Sequence, residues 1–219
     1  PQSPGVTGGP VGGLFNPGSW AMSDRAGGDF WWNDRSIRQG LDNYGFGFGR
    51  NLNVAMNTST FGTTASSDTI YDYQAGLAAG SRLGAFGLGY RWSNGETQLT
   101  PREQTLVTGL VTRKRSWTTF GASAAWSLES SAAQYIFDLG LRPFNRSWLT
   151  LFADWTVNNG QAFHKRGVWG AGLEVRPLRG LHRGFKARQQ PATGDLHYSG
   201  RIGVTVGAFQ AAAVPVYDQ

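Results

Sequence analysis

Apolar and polar residues alternate one by one through segment after segment of this chain, and no other feature limits the fold as tightly. Successive side chains of a β-strand point to opposite faces, so alternation marks strands that each present one apolar and one polar face. In Tyr44-Gly45-Phe46-Gly47-Phe48-Gly49 the aromatics share one face and the glycines the other. Tyr71, Tyr73, Ala75, Leu77 and Ala79 oppose Asp72, Gln74, Gly76 and Ala78. After Ser81-Arg82, Phe86, Leu88, Tyr90 and Trp92 continue the apolar face as the second arm of a hairpin. The same phase returns at Phe120–Leu128, Tyr135–Leu141, Leu149–Val157, Trp169–Val175 and Arg201–Phe209, and less sharply over Gln98–Arg115. Asn94-Gly95, Glu129-Ser130-Ser131, Pro143-Phe144-Asn145-Arg146 and Asn158-Asn159-Gly160 read as reversals. A weak repeat, Gly140-Leu141-Arg142-Pro143-Phe144 against Gly172-Leu173-Glu174-Val175-Arg176-Pro177-Leu178, places the repeating unit at the hairpin.

Composition agrees with a β fold. The 32 glycines disfavour helices and suit sheets whose backbones approach closely or bend. No cysteine is present, which removes disulfides and thiolate metal sites. The net charge of +6 is spread along the chain, with only Arg113-Lys114-Arg115 as a run, so a nucleic-acid partner is not expected. No apolar run reaches the ~20 residues of a membrane-spanning helix. The opening Pro1-Gln2-Ser3-Pro4-Gly5 is no signal peptide, so an exported protein would have had its signal removed. The mean hydropathy of −0.33 does not argue against a membrane barrel, because lipid-facing and lumen-facing residues cancel in the average.

Two all-β architectures compete. A soluble sandwich has shorter strands and sends Lys, Glu and Thr to water on its outer faces. Here the segments run to ~9–11 residues, as a tilted strand needs to cross a bilayer. Their polar face carries glycine, serine and asparagine, with sparse charges of both signs. The expectation is an all-β, antiparallel transmembrane β-barrel of roughly 12–14 strands, its closure open to residues or a partner beyond this chain. Asp72, Arg91, Asp138, Arg142, Asp154, Glu174 and Arg201 are the expected lumen-facing residues, with Asp138 and Asp154 beside Arg142 in a structural charge network. Residues 1–28, rich in Pro and Gly around Asn16, Pro17 and Trp20, are expected to be ordered but irregular and to serve as a plug. Residues 29–219 form the barrel. The segment 211–219 could begin another strand, but it lacks the terminal aromatic residue of a complete outer-membrane barrel.

Leu14-Phe15-Asn16-Pro17 resembles the Asn-Pro-Ala motif near the mature N-terminus of fatty-acid-transporter-like and gliding-secretion-shuttle-like outer-membrane barrels, although Gly18 stands where the motif has Ala. Tyr90-Arg91-Trp92-Ser93-Asn94-Gly95-Glu96, Asp138-Leu139-Gly140-Leu141-Arg142-Pro143, Trp148-Leu149-Thr150-Leu151 and 172–181 are similar to the barrel-type N-terminal region fused to signal-peptide-peptidase-A-like serine proteases. That resemblance implies a bacterial outer-membrane location, and a protease portion beyond Gln219 that would hold the Ser/Lys chemistry.

Within the chain no catalytic, cofactor or metal site is expected. No motif pairs a serine with Lys114, Lys165 or Lys186, which read as turn-proximal and solvated, and His164, His182 and His197 are widely separated. Gly45–Gly49 resembles a phosphate loop only superficially, since no helix follows. Three non-enzymatic functions remain: a membrane anchor or assembly partner of a larger complex or fused protease, a transport channel for small or hydrophobic solutes, and a soluble all-β binding module. Outer-membrane lipid and a protein partner are the expected contacts.

Overall fold

The computed structural model describes residues 10–22, 26–33, 43–63, 66–81, 83–95, 103–115, 117–144, 146, 148–159, 167–178, 181–189, 194–206, 209–213 and 216–217. The alternating segments form strands of a single antiparallel sheet. These are β1 (Gly27–Asn33), β2 (Asn43–Gly49), β3 (Leu52–Thr63), β4 (Ser66–Ser81), β5 (Gly84–Asn94), β6 (Thr105–Arg115) and β7 (Thr118–Ser127). They are followed by β8 (Ala133–Leu141), β9 (Leu149–Asn158), β10 (Val168–Leu178), β11 (Leu181–Gln189), β12 (Leu196–Val206), β13 (Phe209–Ala213) and β14 (Val216–Tyr217). Strands β1 to β13 lie side by side in chain order, so every connection is a hairpin. Both β13 and β14 pair with β12, making one edge along it.

Two local expectations change and one holds. Asn94-Gly95 does end β5, with Gly95 at φ +127°, but β6 starts only at Thr105, so the reversal is a long connection and not a tight turn. The segment expected to run unbroken to Phe209 is two strands, because Phe209 pairs back onto Val206 and the alternation carries no mark of the reversal. The segment 211–219 does supply edge pairing, through β13 and β14.

The connections differ sharply between the two ends of the sheet. At one end five of the six are two residues long (50–51, 82–83, 116–117, 179–180 and 207–208), the sixth being 142–148. At the other end 64–65 is also two residues long, while 34–42, 95–104 and 159–167 are the longest and 128–132 and 190–195 lie between.

The closed barrel expected from the sequence is not what the described sheet shows. Among the described residues β1 and β13 are edges that do not pair, so the sheet is open there. In a sequential antiparallel meander the first and thirteenth strands run in the same direction, so these edges could join each other only as a parallel pair.

The two faces have opposite exposures. Side chains of the apolar face point outward into the open, with Phe48 58%, Leu77 61% and Leu88 41% exposed. The polar face is the covered one, and Asn53, Gln74, Asp138, Thr150 and Glu174 are buried on it.

Residues 10–22, the described part of the expected plug segment ahead of β1, pack onto this polar face. A 3-10 helix (Pro17–Met22) lies across β4, β5 and β6, and the helical turn before it (Pro10–Gly13) packs against that helix and towards β1 and β2. They fit because the strands beneath present glycine. A Cβ on Gly76 would overlap the Trp20 ring, one on Gly87 the Pro17 backbone, and one on Gly109 the Asn16 side chain. Trp20, Ala21 and Met22 complete a small apolar cluster with Ala78, Ala85 and Val111.

Gly109→Val should lower the midpoint of urea unfolding, at a cost of about 1–3 kcal/mol from overpacking against Asn16. Gly28→Ala, whose added Cβ would make only ordinary contact with Phe48 at 3.5 Å, should leave it unchanged. Tryptophan fluorescence across a denaturant series reads both, and equal effects would mean that the glycine floor does not seat the segment.

Candidate functional site

Asn16 is fully buried and ties the N-terminal segment to the sheet. Its Nδ2 donates to the backbone carbonyls of Leu110 (3.0 Å) and Ala122 (3.2 Å), a cross-strand pair on β6 and β7. Its Oδ1 accepts from the Gly18 amide at 3.1 Å, fixing the turn into Pro17 and the 3-10 helix. An amide side chain that both donates and accepts is the group this position needs. Farther along, the Gly13 carbonyl accepts from Gln74 Nε2 at 3.2 Å and the Leu14 carbonyl from the Arg91 guanidinium at 2.5 Å. Arg91 also donates to Gln74 Oε1 at 3.1 Å. Of the three plug residues named from sequence, Asn16 is thus the polar latch, Pro17 lies over Gly87, and Trp20 is the buried apolar anchor.

The remaining expected lumen residues lie on the same face by strand parity. Asp72 accepts from Ser93 Oγ at 2.6 Å. Asp138 and Asp154 are direct cross-strand partners on β8 and β9. Asp138 lies over Gly121, where a Cβ would overlap its carboxylate. Like charges directly opposite one another destabilise a sheet unless a cation compensates, and here the compensation comes from β11. Lys186 Nζ meets Asp154 Oδ2 at 2.6 Å, the side chains being 12% and 8% exposed, with the ammonium 6.0 Å from the Phe152 ring centroid. The pair spans the intervening β10 because Gly170 and Gly172 carry no side chains there.

Two readings of these charges are corrected. Lys186 is not turn-proximal and solvated; it sits within β11 and is largely buried. Its parity with Gly184, opposite the exposed Phe185, was the signal that could have placed it inside. Arg142 does not complete the Asp138–Asp154 network. It lies four residues beyond Asp138, about 13 Å along an extended strand, and the charges acting on it are Arg113, Arg176 and Glu174. Glu174 instead accepts from Arg176 Nε at 2.9 Å.

Arg201 lies on β12 opposite Gly184, and its side chain is outside the described residues, as are those of Lys114 and His182. His164 and Lys165 are outside them altogether. Among the described residues no three His, Cys, Asp or Glu side chains converge as metal ligands. Sequence reasoning left out Gln74, Arg113, Arg176 and Lys186, all of which strand parity assigns to the polar face.

At the long-loop end, exposed Glu103 accepts from Ser130 Oγ at 2.8 Å. Hydrogen bonds from Ser127 and Ser130 hold its carboxyl below its usual value. A depressed carboxyl pKa contributes stability above the unfolded value, so this tie between two loops is present at neutral pH and lost on acidification.

The chain matches no family model, no curated protein and no solved structure.

Lys186→Met should destabilise the sheet by about 3 kcal/mol, because it leaves the Asp154 carboxylate buried and uncompensated. Adding Asp154→Asn should recover at least half of that loss. A double-mutant cycle in urea measures the coupling, and additive losses would show that the pair is not an electrostatic unit.

Proposed function

We propose that this chain is an outer-membrane-type β-barrel that anchors or assembles a larger complex, or a fused protease, at the bacterial outer membrane, its interior filled in part by its own N-terminal segment. The observation that carries the reading is the inversion of the two faces, with apolar residues exposed on strand after strand while carboxylates, amides and glycines are covered. In water such a surface is a large unfavourable apolar patch, whereas in lipid it is the required exterior.

Two features add support. Connections that are mostly two residues long at one end and mostly longer at the other fit the asymmetry of outer-membrane barrels. Aromatic side chains collect near the two ends of the outward face, with Tyr73, Tyr90 and Trp92 stacked towards the long-loop end and Phe144 on Trp148 at the short-turn end. That is where interfacial girdles sit. The reading requires the edges at β1 and β13 to be satisfied in the membrane, by each other or by a partner strand, since unpaired backbone groups are costly in lipid.

Anchoring is favoured over conduction by the segment latched across β4–β6 through Asn16, Arg91 and Trp20. A transport channel is the second reading. It is favoured by the charged inner face of β8–β11, on which none of the described N-terminal elements is packed.

Purified in detergent, the protein should migrate faster on gels before boiling than after and show β-type circular dichroism. A water-soluble β protein that needs no detergent would overturn the membrane reading in favour of the soluble binding module. Leu88→Arg sharpens the test: on a lipid-facing strand it should cost about 2–4 kcal/mol in vesicles, whereas at an exposed site of a soluble protein it should change little. In planar bilayers an anchor barrel should give no steady conductance, and a stable open channel would favour the transport reading.

A further inference from the structure

Three alternate strands end, at the short-turn end, in the same way. The Arg113 amide donates to the Leu83 carbonyl at 2.8 Å, the Arg142 amide to Trp117 at 2.7 Å and the Arg176 amide to Trp148 at 2.7 Å. In each case an arginine at the end of an even-numbered strand closes onto an apolar residue at the preceding reversal. The corresponding amide on β4 belongs to Ala78, which donates to the Asn51 carbonyl at 2.7 Å and lies beneath the N-terminal segment. On β4 this position is small and apolar, and on β6, β8 and β10 it is arginine.

Parity places all three arginines on the polar face, in line with Val111 on β6, Gly140 on β8 and Glu174 on β10. The ladder shifts register between Thr112 and Arg115 and again between Val175 and Leu178, so two of the three sit in irregularities of the kind that re-aim side chains. Alternate strands are about 9–10 Å apart, within the combined reach of two arginine side chains.

The charge among them is unbalanced. Glu174 pairs with Arg176, while neither Arg113 nor Arg142 has a carboxylate at ion-pair distance among the described residues. Arg113 Nε is buried with no hydrogen-bond partner among the described residues. Burial pushes the Arg142 pKa down, with the Arg113 and Arg176 charges adding to the effect and Glu174 opposing it. Between the arginines, buried Thr119 on β7 and Thr150 on β9 bring hydroxyls to the same level.

We propose that Arg113, Arg142 and Arg176 form an oxyanion-binding collar at the short-turn mouth of the polar face, suited to solutes bearing phosphate-type groups. Guanidinium groups present planar forks of N–H donors that match such oxygens, and a bound dianion would balance the excess positive charge and give Arg113 Nε an acceptor. The site rests on the reading of the polar face as interior, but not on that interior being open from end to end.

Calorimetric titration of the folded, detergent-solubilised protein with inorganic phosphate tests it, with chloride at equal ionic strength as reference. Saturable phosphate binding is expected, weakened about tenfold or more by Arg142→Gln and by Arg113→Gln, since a hydrogen bond to a charged group contributes at least that much. Arg188→Gln, on the same face but towards the long-loop end, should bind within about twofold of the parent. Circular dichroism and heat-modifiable migration establish that each variant is folded. Absence of saturable binding to the folded parent overturns the proposal, as does an equal loss in Arg188→Gln, which would mark a diffuse field instead of a site. Phosphate binding by a chain that needs no detergent would keep the collar and discard the barrel, so the two failures are distinguishable.

Discussion

A β-strand must present its side chains to two sides in turn, and in this chain the two sides differ in chemistry and in exposure. Apolar residues such as Phe48, Leu77 and Leu88 face outward, while the covered face carries the amides, carboxylates and most of the strand glycines. A fold in water buries the first set to remove apolar area from solvent. Among the described residues no second layer lies against the apolar side of this single sheet, and the membrane proposal rests on that exposure. The position of the N-terminal segment, the pairing of the inner charges and the membrane reading all follow from this inversion.

Glycine sets what the inner face can hold. At Gly76, Gly87 and Gly109 the missing side chains leave a trough for Trp20, Pro17 and Asn16. At Gly121, Gly170 and Gly172 they leave room for Asp138 and for the Lys186–Asp154 pair to cross an intervening strand. The composition that disfavours helices thus leaves room on the covered face for a docked segment and a buried ion pair. The described part of the segment packs mainly on β4–β6, with its helical turn towards β1 and β2, so the covered face is divided. One part is latched and largely apolar, and the other, over β8–β11, is charged.

Most strands were legible because period two is a local signal and a one-residue slip would move every side chain to the wrong face. Parity also gave the face of Asp72, Arg91, Asp138, Asp154 and Glu174 before any coordinate was known. It failed where the decisive fact was a reversal within an alternating run, as at Val206 and Phe209, or where lysine was assigned to water by residue type and not by phase, as at Lys186. Partners were less legible still. Asp154 finds Lys186 two strands away and 32 residues along the chain, a distance that no local pattern encodes.

By itself, then, the sequence determined an antiparallel β protein with one apolar and one polar face per strand, preceded by a segment rich in Pro and Gly. Those properties are local, set by side-chain alternation and backbone preference. Only the tertiary structure decided which face is covered, where Asn16 and Trp20 dock, which charges pair and that the described sheet stays open between β1 and β13. Each of these depends on register and on contacts between strands far apart in sequence, and it is the accumulated geometry of thirteen neighbouring strands that brings such residues together.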